Sequence, residues 1–195
     1  MTPYYEEAGV VIYHGDCREI APSLTFDAIL TDPPYGVGID YGPASEDKDL
    51  AGTVRWLLSF ERPVVFTVIH RQLWEIPKPQ WLDVWHKPLV LGAWSSVLLP
   101  HWEAVVFYGV PGRHVRGDVF RYNQARNNGH RTPKPVGLFT DLLRLLPGVP
   151  LDPYAGSGTT LVAAKNLGRR AIGIEIEERY CEVAVKRLRQ EVLAL

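Results

Sequence analysis

Between Val149 and Glu175 the chain reads as strand, glycine turn, helix and strand in immediate succession, an order that few folds accept. Val149 to Asp152 is a short apolar run closed by Pro153, too short for a helix, and so a buried strand. It leads into Pro153-Tyr154-Ala155-Gly156-Ser157-Gly158-Thr159-Thr160. There Gly156 and Gly158 permit a tight bend and a close backbone approach to a ligand, and the helix that follows, through Leu167, opens with free amide donors. Arg170 to Glu175 is the next strand and ends on a carboxylate 17 residues after Gly158. A carboxylate so placed accepts hydrogen bonds from both ribose hydroxyls, as in dinucleotide folds. The third glycine of the dinucleotide fingerprint falls at Leu161, so the ribose ligand is left open between a nicotinamide or flavin dinucleotide and S-adenosylmethionine.

A second word stands far upstream. Asp32-Pro33-Pro34-Tyr35 closes the apolar run Ala28, Ile29, Leu30 and is followed at once by Gly36. The run reads as a buried strand, and two consecutive prolines remove two backbone donors and fix both φ angles. The product is a rigid rim with one carboxylate, outward carbonyls and one aromatic ring. Such a rim accepts hydrogen bonds from a planar NH2 group while the ring stacks on that group's heterocycle. Taken alone, the four residues also fit an ordinary proline-rich turn.

The remaining elements alternate. Val10 to Tyr13, Val64 to Ile69, Leu82 to Trp85 and Ala104 to Tyr108 read as strands. Leu50 to Phe60, Val136 to Leu146 and Glu177 to Leu195 read as helices, the last with Cys181, Val185, Leu188, Val192 and Leu195 on one stripe. Gly15-Asp16 closes the first strand with a carboxylate, Gly36 to Asp49 reads as a loop over the site, and Trp74, Trp81 and Trp85 read as core aromatics. The expected architecture is α/β, a mostly parallel sheet covered by helices on both faces. The length of 195 residues suits a single domain, residues 1–195, with one core.

Composition excludes several classes. Hydrophobic residues at 46% and charged residues at 22% are those of a globular chain, and no apolar run reaches the roughly 20 residues of a bilayer span. With no basic or apolar leader at Met1 to Glu7, the expected compartment is the cytoplasm, of a bacterial or phage-infected cell. Cys17 and Cys181 are too few for a disulfide framework or a four-ligand zinc site, and no metal is implied. A net charge of −1 argues against coating nucleic acid by bulk electrostatics, yet a local basic segment at about 111–135 carries Arg113, Arg116, Arg121, Arg126, Arg131 and Lys134 against Asp118 alone. Its cations and its His, Asn and Gln side chains suit phosphates and base edges, and a solvated loop fits them equally well.

Together these words resemble the amino-group DNA methyltransferases that use S-adenosylmethionine. Asp152 to Thr160 resembles their cofactor motif and Asp32 to Tyr35 their catalytic motif. The catalytic motif comes first here, with Gly15-Asp16 before both and His130-Arg131-Thr132-Pro133-Lys134-Pro135 just ahead of the cofactor strand, a permuted order like that of the β class. The resemblance covers nearly the whole chain and implies a class I, Rossmann-like sheet of seven strands, matching those read from Val10, Ala28, Val64, Leu82, Ala104, Val149 and Arg170. It implies double-stranded DNA as partner, with a monomer or a homodimer left open, and S-adenosylmethionine as cofactor. Asp32, Pro33, Pro34 and Tyr35 would be catalytic. Asp16, Asp152, Tyr154, Gly156, Ser157, Gly158, Thr159 and Glu175 would serve the cofactor: Glu175 at the ribose, Asp16 near the adenine, the turn at the methionine part. The basic segment would contact DNA, and its brevity implies short or relaxed sequence specificity, as in a small phage or restriction-modification enzyme. Asp32 tilts the reading toward adenine N6 over cytosine N4. Arg131 stands where the family commonly has proline. An RNA or protein-glutamine methyltransferase and an inactive DNA-binding relative are the alternatives; motif order argues against the former two, and intact Asp32, Tyr35, Gly156 and Gly158 against decay.

Overall fold

The structure is a computed structural model that describes residues 1–34, 49–88, 101–112, 118–125 and 134–190. Its strands are Tyr5–Glu7 (β1), Val10–His14 (β2), Ala28–Thr31 (β3), Val64–Val68 (β4), Trp81–His86 (β5), Trp102–Tyr108 (β6), Val119–Arg121 (β7), Pro150–Asp152 (β8) and Ala171–Glu175 (β9). Its α-helices are Cys17–Ile20 (α1), Leu50–Leu58 (α2), Val136–Leu143 (α3), Thr159–Asn166 (α4) and Glu178–Arg189 (α5). The strands form one sheet in the order β1-β2-β9-β8-β3-β4-β6-β5-β7.

Five of the eight pairings are parallel, and they include all those at the centre of the sheet. The three antiparallel ones are β1 with β2, β4 with β6, and β5 with β6. Among the described residues the sheet has nine strands where seven were expected, because β1 and β7 extend it at its two edges. Each is three residues long and half or more exposed, so neither carries an alternation that a sequence can display. Central β8 begins on Pro150, a position where the missing donor is tolerated, while Asp27 and Val149 close the neighbouring ladder with a 2.9 Å backbone bond.

Period-2 alternation divides the strands between two cores. Ala28 and Leu30, Val65, Val105 and Phe107 face α3, α4 and α5, where they meet Leu138, Phe139, Leu142, Leu161, Ala164, Cys181 and Leu188. Ile29, Val64, Phe66, Ala104 and Val106 face the other side and meet Cys17, Ile20, Leu50, Val54 and Leu57 of α1 and α2. Each fully buried side chain of Leu or Phe size contributes about 1.5–3 kcal/mol, so α3, with Leu138, Phe139, Leu142 and Leu143 all covered, is held by its face rather than by its length. Of the three tryptophans read as core, Trp85 is buried and Trp81 half-buried, but Trp74 is 88% exposed. It lies in the irregular stretch after the 3-10 turn His70–Gln72, where Ile76 occupies the core position instead.

Gly158 has a structural reason distinct from ligand approach. Its φ is +77°, and a Cβ there would stand 2.8 Å from the Ala184 Cβ, so the missing side chain is what lets α5 close on the start of α4. Gly158→Ala is therefore expected to destabilise the fold by about 2–4 kcal/mol, from left-handed strain plus overpacking. Denaturant unfolding checks this, and a loss under about 1 kcal/mol would contradict the packing role.

Candidate active site

The parallel core of the sheet delivers its strand ends to one edge. β2 ends at His14, and the Gly15 amide donates to the Glu175 carbonyl at 2.9 Å, joining that end to the end of β9. Asp16 follows, half-buried, and caps α1 by accepting the Arg18 amide at 2.8 Å. Glu175 is 8% exposed. Its Oε2 accepts the Gly156 amide at 2.7 Å and its Oε1 the Glu177 amide at 2.8 Å, so the carboxylate is fixed against the glycine turn. Burial pushes its pKa up, and these backbone donors partly counter that. With backbone amides as its donors, the carboxylate presents a fixed pair of acceptor oxygens, which fits a vicinal pair of hydroxyls.

The turn itself is held from behind. Ser157 and Thr159 are buried, and the Arg187 guanidinium of α5 donates to the Ser157 carbonyl at 2.6 Å, to its hydroxyl at 3.0 Å and to the Thr159 hydroxyl at 3.3 Å. These hydroxyls bind α5 to the turn, and burial lowers the pKa of Arg187. Tyr154 is half-buried and edge-on to Trp56 at 6.5 Å, the indole that also carries the Arg18 guanidinium at 5.4 Å.

Asp152 is 3% exposed at the end of β8. The Thr31 hydroxyl donates to its Oδ1 at 2.7 Å, the Tyr154 amide to the same oxygen at 3.1 Å, and the Thr160 hydroxyl to Oδ2. Burial raises its pKa from 3.8 to about 6 against these hydrogen bonds, with the neighbouring Asp32 charge adding to the rise. Asp152 thus serves the scaffold, tying the glycine turn, α4 and the last residue of β3.

One residue past β3, Asp32 is held at both oxygens. Thr67 of β4 donates to Oδ1 at 2.5 Å and the Lys134 ammonium to Oδ2 at 2.6 Å. Pro33 is buried and Pro34 half-buried. Lys134 was read as a cation of the surface segment, but its side chain is 8% exposed and packs inward just before α3. Beyond Asp32 it lies 3.5 Å from Glu103 Oε2 in β6, and Glu103 Oε1 accepts Lys87 Nζ at 2.5 Å. Lys87 follows β5, and its ammonium lies 4.6 Å from the Trp85 ring. Alternating charges thus run from Lys87 through Glu103 and Lys134 to Asp32, with side-chain exposures of 9, 11, 8 and 21%. The row ends at its most accessible member.

Thr67, Glu103 and Lys87 carried no role in the sequence reading. The only signal was a glutamate inside an apolar strand, whose partners lie in other strands. Arg121 is exposed at the end of β7. Tyr35, Arg113, Arg116, Arg126 and Arg131 lie outside the described residues, as do the loop from Gly36 and the end of the last helix at Leu195.

A family model described as DNA methylase, of the N6 and N4 type, matches residues 70–186. The type II methyltransferase M.ScaI of Streptomyces caespitosus is 26% identical over an alignment covering 99% of this chain and 86% of that protein. Among solved structures, the M1.HpyAVI–SAM complex superposes with a TM-score of 0.68 at 23% identity, covering 93% of this chain and all of that one. The cytosine-N4-specific PvuII DNA methyltransferase superposes with a TM-score of 0.71 at 17% identity, covering 98% of this chain and 90% of that one. At these identities the superpositions speak for the fold.

A raised carboxyl pKa means that the folded protein holds the proton more tightly than the unfolded chain. The carboxyl of Asp152 therefore costs stability as pH rises from about 4 to about 6, and the cost is constant above that window. Relative to Asp152→Asn, which cannot titrate, the wild type should lose about 3 kcal/mol of unfolding free energy across the window, as read by denaturant unfolding at a series of pH values. A difference between the two proteins that stays constant with pH would contradict the assignment.

Proposed function

The chain belongs to the N6/N4 DNA methylase family, and on that premise we propose that it transfers the methyl of S-adenosylmethionine to the exocyclic amine of a base flipped out of DNA, adenine N6 in the first instance. The observation that carries this is the placement of Asp32 and Glu175 on one sheet edge, each a carboxylate with hydrogen bonds to both of its oxygens. Glu175 is the ribose acceptor, its oxygens aimed by the Gly156 and Glu177 amides. Asp16 lies beside it at the end of β2, where the adenine of the cofactor is expected. When bound, the cofactor supplies an electrophilic methyl on a sulfonium.

The amine of adenine or cytosine is a poor nucleophile because its lone pair is delocalised into the ring. Asp32 and the Pro33 carbonyl each accept one N–H, which draws the nitrogen toward tetrahedral geometry and aims its lone pair at the methyl. Tyr35 stacks on the base, offsetting part of the few kcal/mol that flipping costs. Asp32 or water would take the proton that the amine gives up as its nitrogen takes the methyl and the sulfonium leaves as a neutral thioether. Alignment of the reactants supplies most of the acceleration, up to about 7–11 kcal/mol.

Adenine is favoured because Asp, rather than Ser, occupies position 32 in a motif that resembles the family's catalytic word. Cytosine N4 is the second reading, since the matching family model is of both the N6 and the N4 type. The M.ScaI likeness supports a role in a type II restriction-modification system.

Two variants separate the roles. Asp32→Ala should lose labelled methyl transfer to DNA by about 1,000-fold or more while binding S-adenosylmethionine as the wild type does. Glu175→Ala should weaken cofactor binding by about 10- to 100-fold, the worth of hydrogen bonds to a charged group. Retained transfer in the first, or an unchanged dissociation constant in the second, rejects the corresponding role.

A further inference from the structure

We propose that Lys134 is a positioning residue for methyl transfer: its buried ammonium sets the direction of the Asp32 carboxylate, and Glu103 and Lys87 hold that ammonium in place. The proposal rests on the reading of Asp32 as the group that holds the target amine.

Lys134 is too buried to neutralise a phosphate, with 8% of its side chain exposed, and its charge is already engaged. Its Nζ lies 2.6 Å from Asp32 Oδ2, within the range of charge-assisted hydrogen bonds. A lysine has three rotatable donors on a flexible stem, so by itself it fixes little. Here the stem enters beside Pro135, the residue before α3, and Nζ stands between Asp32 and Glu103 Oε2 at 3.5 Å. Glu103 is fixed in turn by Lys87 at 2.5 Å. The four charges cancel, which is what allows them to be buried together. From the β4 side Thr67 sets the other oxygen of Asp32 at 2.5 Å. Asp32 itself precedes two prolines whose φ angles are fixed. Backbone and side chain are thus constrained separately, and Lys134 supplies a constraint that comes from 102 residues along the chain.

Removing Lys134 alone leaves two carboxylates against one ammonium, so loss of activity could follow from misfolding. Lys134→Met combined with Glu103→Gln removes one charge of each sign and keeps an acceptor for Lys87. In this double variant, checked for folding by circular dichroism and thermal melting, S-adenosylmethionine affinity and the KM for DNA should match the wild type, while kcat falls about 100-fold, the scale of an ångström-sized misplacement. Lys134→Arg, which keeps the charge but changes its reach, should lower kcat about tenfold with both binding constants unchanged. Wild-type kcat in the folded double variant overturns the proposal, and so does a raised KM for DNA at unchanged kcat, the signature of a phosphate contact. Should the double variant not fold, the Lys134→Arg enzyme decides: a lowered kcat at unchanged KM supports the proposal, and an unchanged kcat overturns it. Assaying Asp32→Ala in parallel separates the two claims. Transfer retained there refutes the reading of Asp32, whereas an inactive Asp32→Ala beside a fully active double variant refutes the role of Lys134 alone.

Discussion

The hydrogen bond between the Thr31 hydroxyl and the Asp152 carboxylate, 2.7 Å long and fully buried, joins the two motifs that make this protein intelligible. Thr31 is the last residue of β3 and fixes the point from which Asp32 leaves the sheet. Asp152 is the last residue of β8 and accepts the Tyr154 amide and the Thr160 hydroxyl, so it fixes the start of the glycine turn and of α4. Burying a carboxylate is costly unless donors surround it, and a partly satisfied one is worse than none. This one has donors on both oxygens, and the result is a rigid spacing between the end of one strand and the loop beyond its neighbour.

From that spacing the edge of the sheet divides into two halves. On one side Glu175, oriented by the Gly156 and Glu177 amides, and Asp16 are suited to a ribose and its base. On the other Asp32, oriented by Thr67 and Lys134, is suited to an amine. The two halves are stabilised by different means, neutral backbone donors in the first and a row of paired buried charges in the second. Proposed chemistry follows this division: a carboxylate held by amides binds, and a carboxylate held between a hydroxyl and an ammonium aligns.

The legible part of this structure was whatever one stretch of chain states by itself. The continuous apolar runs at Ala28 to Leu30 and Val64 to Val68, the apolar stripe from Leu138 to Leu143, and the interval from Gly158 to Glu175 are each local to one stretch of chain, and each stands where it was expected. The illegible part depended on pairing at long range. Lysine is almost never buried without a partner, and the partners of Lys134 come from two other strand ends, so in the sequence it reads as one more cation of a basic segment. Gly158 was read for a tight bend and a close ligand; the bend is there, and the approach of α5 at Ala184 is a packing reason that no local stretch of sequence displays. The direction of β6 could not be read either, since an apolar run in a buried strand looks alike whichever way it is threaded.

The central claim is that an exocyclic amine of DNA receives the methyl. Duplex DNA incubated with the protein and S-adenosylmethionine bearing a deuterated methyl, then digested to nucleosides and resolved by mass spectrometry, tests it most directly. The account predicts deuterated methyl on the exocyclic nitrogen of a DNA base, as N6-methyladenine. Label on carbon 5 of cytosine, or DNA nucleosides without label beside labelled RNA or protein, would contradict it.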